Sequence, residues 1–278
     1  MKLQIQTISK LLDESFLEDF GIKGDITSNA IIADDKKIDF AINARQNMIL
    51  CGINIAEYYF DNYSSIKYKT NYQDGDEVKQ SSTIISGNGY AREILLIERI
   101  ILNFMQHLSG ITTLTHAYVQ KVQGTKAHIC DTRKTTPMLR QLQKYAVTCG
   151  GGHNHRLTLD SSIMIKDNHI AICGNITRAI KLAREQNPHY AKIEVECDNL
   201  AQVQEALENK CEIIMLDNMT IKQMNEAVKM IGNNAIIEAS GNVSLDTVEE
   251  IAKTGVDIIS IGKLTHSSPS VDIGLDII

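Results

Sequence analysis

Ile8, Leu11, Leu12, Phe16 and Leu17 recur at helical spacing, while Asp13, Glu14, Glu18 and Asp19 fall on the opposite face. The spacing predicts a surface helix over residues 7–20, lying on a core. From Ile38 to Gly89 the period changes to short alternating runs such as Ile38, Phe40 and Ile42, with Asp74-Gly75-Asp76 and Gly87-Asn88-Gly89 read as turns. Antiparallel β structure is expected there. Helical spacing returns from Ala91 to about Leu108, carried by Ile94, Leu95, Ile97, Ile101, Leu102, Met105 and Leu108. Ser109-Gly110 is expected to break this helix before a second one, roughly Thr112 to Val122.

From His128 onward, short apolar runs alternate with amphipathic helices at intervals of about twenty residues, the rhythm of repeated β-α units. Strands are expected around Ile129-Cys130, Ile163–Ile165, Ile193–Val195, Ile213–Leu216, Ile236-Ile237 and Ile258–Ile261. Thr220 with Gln223 marks a helix start, and Gly232 and Gly255 fall where helices should stop. Nearly every strand ends in polar residues: Asp131 to Lys134, Lys166 to His169, Glu196, Asp217-Asn218, Glu238 with Ser240, and Ser260 with Gly262. In a β/α barrel those C-terminal ends form one active face. A doubly wound open sheet would more often carry a Gly-rich first turn, which this chain lacks, so the barrel is the preferred architecture.

Composition narrows the function. With 278 residues and 43% hydrophobic content, the chain can bury one large core, or one large and one small. A net charge of -6 argues against general nucleic-acid binding, so any anion must be met locally. Six cysteines without a C-x-x-C pair point to reduced thiols in a cytoplasm rather than to a zinc knuckle or a disulfide framework. Neither a leader nor an apolar run of membrane-spanning length is read in the sequence, so no membrane partner is expected.

Arg133, Lys134, Arg156 and Lys166 all lie at or just beyond predicted strand ends. Any one alone would be a solvated surface charge, but four together suit a polyanion, with arginines gripping carboxylates and lysines meeting phosphate. Glu196 and Asp217 end consecutive strands and are suited to hold a magnesium ion carrying pyrophosphate, although Asp217 could equally cap the helix that follows. Glu238 to Asn242 and Ser260 to Lys263 resemble late-strand loops that cradle a phosphate. Gly150-Gly151-Gly152 precedes His153-Asn154-His155-Arg156, an unusual string for a linker. His153 and His155 could instead be the H-x-H pair of a metal-dependent hydrolase barrel, completed by His169, Lys166 and Asp217. Asp74 to Val78 looks like half of a biotinyl or lipoyl carrier fold, but no attachment lysine follows, so it is expected to report β packing.

Together these strings resemble the quinolinate phosphoribosyltransferase family, also called nicotinate-nucleotide pyrophosphorylase (carboxylating), over almost the whole chain. Asp131 to Pro137 (D-T-R-K-T-T-P) and Lys166 to His169 (K-D-N-H) are the most specific segments. Gly24 to Thr27, Ala44-Arg45, Cys51-Gly52, Glu98-Arg99, Leu102 to Phe104, Ser109 to Ile111, Asn154 to Arg156, Glu194 to Glu196, Leu216 to Asn218, Glu238 to Gly241 and Ser260 to Gly262 follow in the family's order.

The resemblance implies an α/β fold, with an N-terminal α/β sandwich over residues 1–108, to which 267–278 return, and an incomplete β/α barrel over 109–266. It implies transfer of phosphoribose to quinolinate with magnesium, in a homodimer with shared sites or a larger assembly. Arg99, Arg133, His155, Arg156 and Lys166 would surround quinolinate, Arg99 coming from the partner subunit. Lys134, Glu196 and Asp217 would meet magnesium and pyrophosphate; Ser240, Gly241 and Gly262 would meet the 5-phosphate. Thr132, Asn242, Ile261 and Lys263 complete the implied substrate-binding set, and Lys134, Lys166, Glu196 and Asp217 the catalytic one. The chain departs from the family pattern at Met138, where a glycine usually follows the proline, at Thr158, Asp160 and Ser161, and at Lys263. A molybdenum-associated paralogue and a nucleotide-binding regulatory barrel are the remaining alternatives.

Overall fold

The computed structural model describes residues 3–278, which gather into two compact units. The first contains residues up to His116, Thr136–Gly150 and Ser267–Ile278. A 3-10 turn (Ile5–Thr7) leads into α1 (Ser9–Phe20), where Leu12 is fully buried and Glu14, Glu18 and Asp19 are exposed, while Asp13 is half-buried and accepts from the Tyr58 and Tyr63 hydroxyls. After α2 (Ile26–Ile31) come β1 (Lys37–Ala44), β2 (Met48–Ile49), α3 (Ile53–Tyr63), β3 (Lys67–Thr70), β4 (Glu77–Val78) and β5 (Thr83–Tyr90). The last strand of the chain, β12 (Ile273–Ile277), pairs antiparallel with β1, giving a four-stranded sheet in the order β12-β1-β5-β3. Its core is Phe40, Ile42, Tyr59, Phe60, Ile84 and Ile85, all buried.

Three expectations fail in this unit, each for a packing reason. The segment from Ile38 to Gly89 is not β throughout: α3 interrupts it, burying Ile53, Ile55, Ala56, Tyr59 and Phe60. Gly87-Asn88-Gly89 is no turn: it lies within β5, where Gly87 pairs with Phe40. A Cβ on Gly87 would come within 2.7 Å of the Phe40 ring, so the glycine makes room for that ring. Nor does Ser109-Gly110 break a helix. A single helix, α4, runs from Ala91 to Lys121, its residues from Ala117 belonging to the second unit. A Cβ on Gly110 would lie 2.1 Å from the Pro269 carbonyl oxygen, so glycine there admits the returning C-terminal segment. Ser109 Oγ bonds to the Cys51 backbone on both sides, N–H and carbonyl. Joined in this way, α4 is long and apolar enough to cross a membrane by length and composition, but 61% of its apolar window is buried in the protein. The Asp74 turn has its own use: Asp74 Oδ1 accepts the N–H groups of Gly52 and Ile53 and so caps α3.

The second unit contains Ala117–Thr135 and Gly151–His266. Its strands are β6 (His128–Cys130), β7 (Ile163–Ile165), β8 (Ile193–Cys197), β9 (Ile213–Asp217), β10 (Ile236–Ser240) and β11 (Ile258–Ser260). All six coincide with the apolar runs read from the sequence. Between them lie α6 (Asp167–Cys173), α7 (Ile176–Gln186), α8 (Leu200–Glu208), α9 (Ile221–Ile231) and α10 (Val248–Lys253), and α11 (Lys263–His266) follows β11. Thr220 and Gln223 form the capping box expected of them. The sheet order is β6-β11-β10-β9-β8-β7, every pair parallel. Successive strands add in one direction and the last pairs with the first, so there is no reversal of order of the kind that defines a doubly wound sheet. Among the described residues no ladder joins β6 to β7, and the barrel is incomplete at that seam. The intervening helix α5 (Arg140–Cys149) groups with the first unit.

Candidate active site

Strand geometry decides which side chains meet. With a period of two, Met164 and Lys166 share a face along β7 and its end, as do Glu194 and Glu196 on β8, Met215 and Asp217 on β9, and Glu238 and Ser240 on β10. Parallel registers place Glu196 beside Met215, and Asp217 beside Ser240. At the C-terminal ends these residues border a cavity of about 470 Å³, together with Thr132, Arg133, Lys134, His155 and Arg156.

The cations carry the clearest electrostatic signal. Arg133 Nε is buried and has no hydrogen-bond partner among the described residues. Arg156 donates to the Ser162 carbonyl at 2.8 Å, and its pKa is lowered first by burial and then by the Arg133 charge. Arginine stays protonated regardless, so two crowded guanidinium groups, one with an unmet buried donor, favour an anionic guest. Lys166 forms an ion pair with Glu196. Lys134 is exposed, its backbone held by Thr132 Oγ1 at 3.1 Å and Thr265 Oγ1 at 2.7 Å.

Asp217 does not cap α9, because Thr220 does, and Asp217 accepts instead from Asn218 Nδ2 at 2.6 Å. Glu196 and Asp217 thus offer an oxygen-only donor set on adjacent strands, which suits a hard divalent cation such as magnesium. The loop after β10 packs tightly on the end of β9. Gly241 has φ 90°, and a Cβ there would lie 2.2 Å from Asn218 Oδ1, while Asn242 Nδ2 donates to that same oxygen at 2.9 Å.

The two histidines of the H-x-H string diverge. His153 pairs with Cys130 as an isolated bridge, and its ring packs on His128 with centroids 4.7 Å apart. His155 points to Glu194 and Glu238 instead, with Nε2 at 3.2 Å and 3.5 Å from their carboxylates. Among the described residues no cluster of metal-ligating side chains contains both, and the hydrolase reading is not favoured. Lys134, Lys166 and Glu196 all border the cavity, which leaves the regulatory-barrel reading without support either.

Four residues of the sequence-derived set do not border this cavity: Arg99, Ile261, Gly262 and Lys263. Arg99 lies on α4 in the first unit with its side chain 60% exposed. Ile261 is buried, Lys263 is exposed, and Gly262 backs onto Lys134, whose Cδ would be 2.9 Å from a Cβ. Conversely, Met164, Met215, Asn218 and Ser260 line the cavity without having been singled out as site residues. Asn218 and Ser260 had a detectable signal, a polar residue at a strand end, and Asn218 adopts φ 52° there; the two methionines had none. The Thr158, Asp160 and Ser161 side chains bond to one another in an exposed turn, and none of them borders the cavity.

Comparison with known proteins gives the family. Residues 25–109 match the family model of the quinolinate phosphoribosyl transferase N-terminal domain, and 111–276 that of its C-terminal domain. A probable nicotinate-nucleotide pyrophosphorylase [carboxylating] of Methanocaldococcus jannaschii is 44% identical, covering 97% of this chain and 96% of the relative. Its Bacillus subtilis counterpart is 42% identical, covering 97% and 93%. The crystal structure of nicotinate-nucleotide pyrophosphorylase from Ehrlichia chaffeensis superposes with a TM-score of 0.95 at 46% identity over the full length of both chains. The chain belongs to the quinolinate phosphoribosyltransferase family.

Proposed function

We infer that this enzyme joins quinolinate to phosphoribosyl pyrophosphate, releasing pyrophosphate and carbon dioxide and leaving nicotinate mononucleotide, a step of de novo NAD biosynthesis. The observation that carries the substrate assignment is the buried, unpartnered Nε of Arg133 beside Arg156, a pair of guanidinium groups matched to a dicarboxylate.

The residues divide the work by charge. Arg133, Arg156 and Lys166 meet the carboxylates of quinolinate and orient its ring nitrogen towards the anomeric carbon. Lys134 neutralises the departing pyrophosphate, and Ser240, Gly241 and Asn242 receive the 5-phosphate. Glu196 and Asp217 would hold magnesium, which supplies charge neutralisation to the pyrophosphate. Displacement builds positive charge on the ribose and negative charge on the leaving group, so pre-placed charges lower the barrier. Much of the task is positioning two anions that repel each other. Loss of carbon dioxide then follows from the pyridinium formed.

The enzyme works as a homodimer in the cytoplasm on this reading, with Arg99 reaching the partner subunit's site. In support, among the described residues the exposed Arg99 side chain has only a 3.9 Å ion pair, with the adjacent Glu98.

Turnover with quinolinate, phosphoribosyl pyrophosphate and magnesium, run beside nicotinate, tests the assignment. Quinolinate should react and nicotinate should not, because a site with buried cations discriminates strongly against the analogue lacking their partner. Arg133→Met should raise the quinolinate KM by roughly tenfold to a hundredfold, the worth of a hydrogen bond to a charged group. Comparable turnover of nicotinate would refute the carboxylate roles.

A further inference from the structure

Beneath the layer of Lys166 and Glu196, two further carboxylates face the barrel interior. Glu194 and Glu238 have side chains only 3% and 2% exposed. Burying two such charges is costly unless partners meet them. Ser260 Oγ donates to Glu238, and His155 Nε2 approaches both acids, at 3.2 Å from Glu194 and 3.5 Å from Glu238. The other ring nitrogen, Nδ1, accepts the backbone N–H of Arg156 at 2.8 Å. A nitrogen that accepts carries no proton, so the hydrogen-bond network assigns the ring proton to Nε2.

We propose that Glu194 and Glu238 are positioning residues that hold His155 as its Nε2–H tautomer, and that His155 Nδ1 in turn anchors the backbone of Arg156 for quinolinate binding. The acids themselves touch no substrate. The histidine ring links β8 and β10 to the loop that carries Arg156, so orientation of that guanidinium depends on residues lying below the cavity. This rests on the quinolinate reading given above.

Two independent measurements test it. In wild-type protein carrying 15N-labelled histidine, the His155 ring, identified by its absence from His155→Gln, should show an unprotonated Nδ1 and a protonated Nε2 at neutral pH. Glu194→Gln and Glu238→Gln should change that tautomer population. In steady-state assays each should raise the quinolinate KM about tenfold, the worth of one hydrogen bond, with kcat and the phosphoribosyl pyrophosphate KM within about twofold. A protonated Nδ1 in the wild type overturns the proposal whether or not any variant folds. So does a quinolinate KM that stays unchanged, or one that moves only together with kcat and Tm, as a general loss of structure would give. Wild-type enzyme inactive on quinolinate refutes the functional reading instead, and the tautomer still decides the brace.

Discussion

Asp131 Oδ1 accepts the backbone N–H of His155 at 2.9 Å, and its Oδ2 accepts Asn154 Nδ2 at 2.6 Å. Asp131 is fully buried. A single carboxylate thereby ties the strand end carrying Arg133 and Lys134 to the loop carrying Arg156, although the bonded residues are 23 and 24 positions from it. The segments D-T-R-K and N-H-R, which carry these cations, are held together by a residue that need not meet substrate.

Glu196 and Asp217 should matter through magnesium and pyrophosphate. Replacing either with Ala should raise the KM for phosphoribosyl pyrophosphate by roughly tenfold or more, as loss of a charged ligand would. Quinolinate binding measured alone, by calorimetry, should stay near wild type for Asp217→Ala. A large loss of quinolinate affinity in that variant would show that the division of roles is wrong.

Subunit sharing can be tested by complementation. Arg99→Ala and Lys134→Ala should each be inactive, but mixing equal amounts should return roughly a quarter of wild-type activity, since half the dimers are mixed and one of their two sites is intact. Mass-tagged chains would establish that subunits exchange. Complete exchange without recovery of activity would place Arg99 in its own chain's chemistry or in none.

Met138 has φ 67° with its side chain exposed, at the position where the family usually has glycine. A left-handed conformation costs a non-glycine residue roughly 1–2 kcal/mol, part of which glycine loses again through its freer unfolded chain. Met138→Gly should therefore stabilise the protein by up to about 1 kcal/mol in chemical denaturation. A destabilised variant would mean that the Met138 side chain contributes packing that outweighs the strain.

Stability should also carry the mark of Glu238. Its carboxyl is raised from 4.5 to about 7, by burial first and the Glu194 charge second, so the folded state binds the proton more tightly than the unfolded state. Below pH 4.5 both states are protonated and no penalty arises; the penalty grows towards about pH 7 and is constant above. Glu238→Gln should accordingly gain unfolding free energy relative to wild type as pH rises through that window, by an amount on the order of 3 kcal/mol at most, read by chemical denaturation. A difference between the two proteins that does not vary with pH would exclude this origin.

The sequence by itself determined the elements and much of the chemistry. All six barrel strands and the Thr220 cap are legible because period and capping are local properties, read from residues a few positions apart. Arg133, Lys134, Lys166, Glu196 and Asp217 were legible because a charge at a strand end in a β/α repeat has one place to go, the C-terminal face; Arg156 lies in a loop before β7 and was legible through the unusual string around it. Only the tertiary structure decided the rest. Gly87 and Gly110 look like breaks in the sequence, yet each is a space left for a distant segment, for the Phe40 ring and the Pro269 carbonyl. The same limit applies to depth within the barrel. Glu194 and Glu196 have the same residue type and the same face, but one lies under the cavity against His155 and the other borders it against Lys166. Alternation specifies the face of a strand; which layer meets a ligand depends on what the neighbouring strands bring to that level.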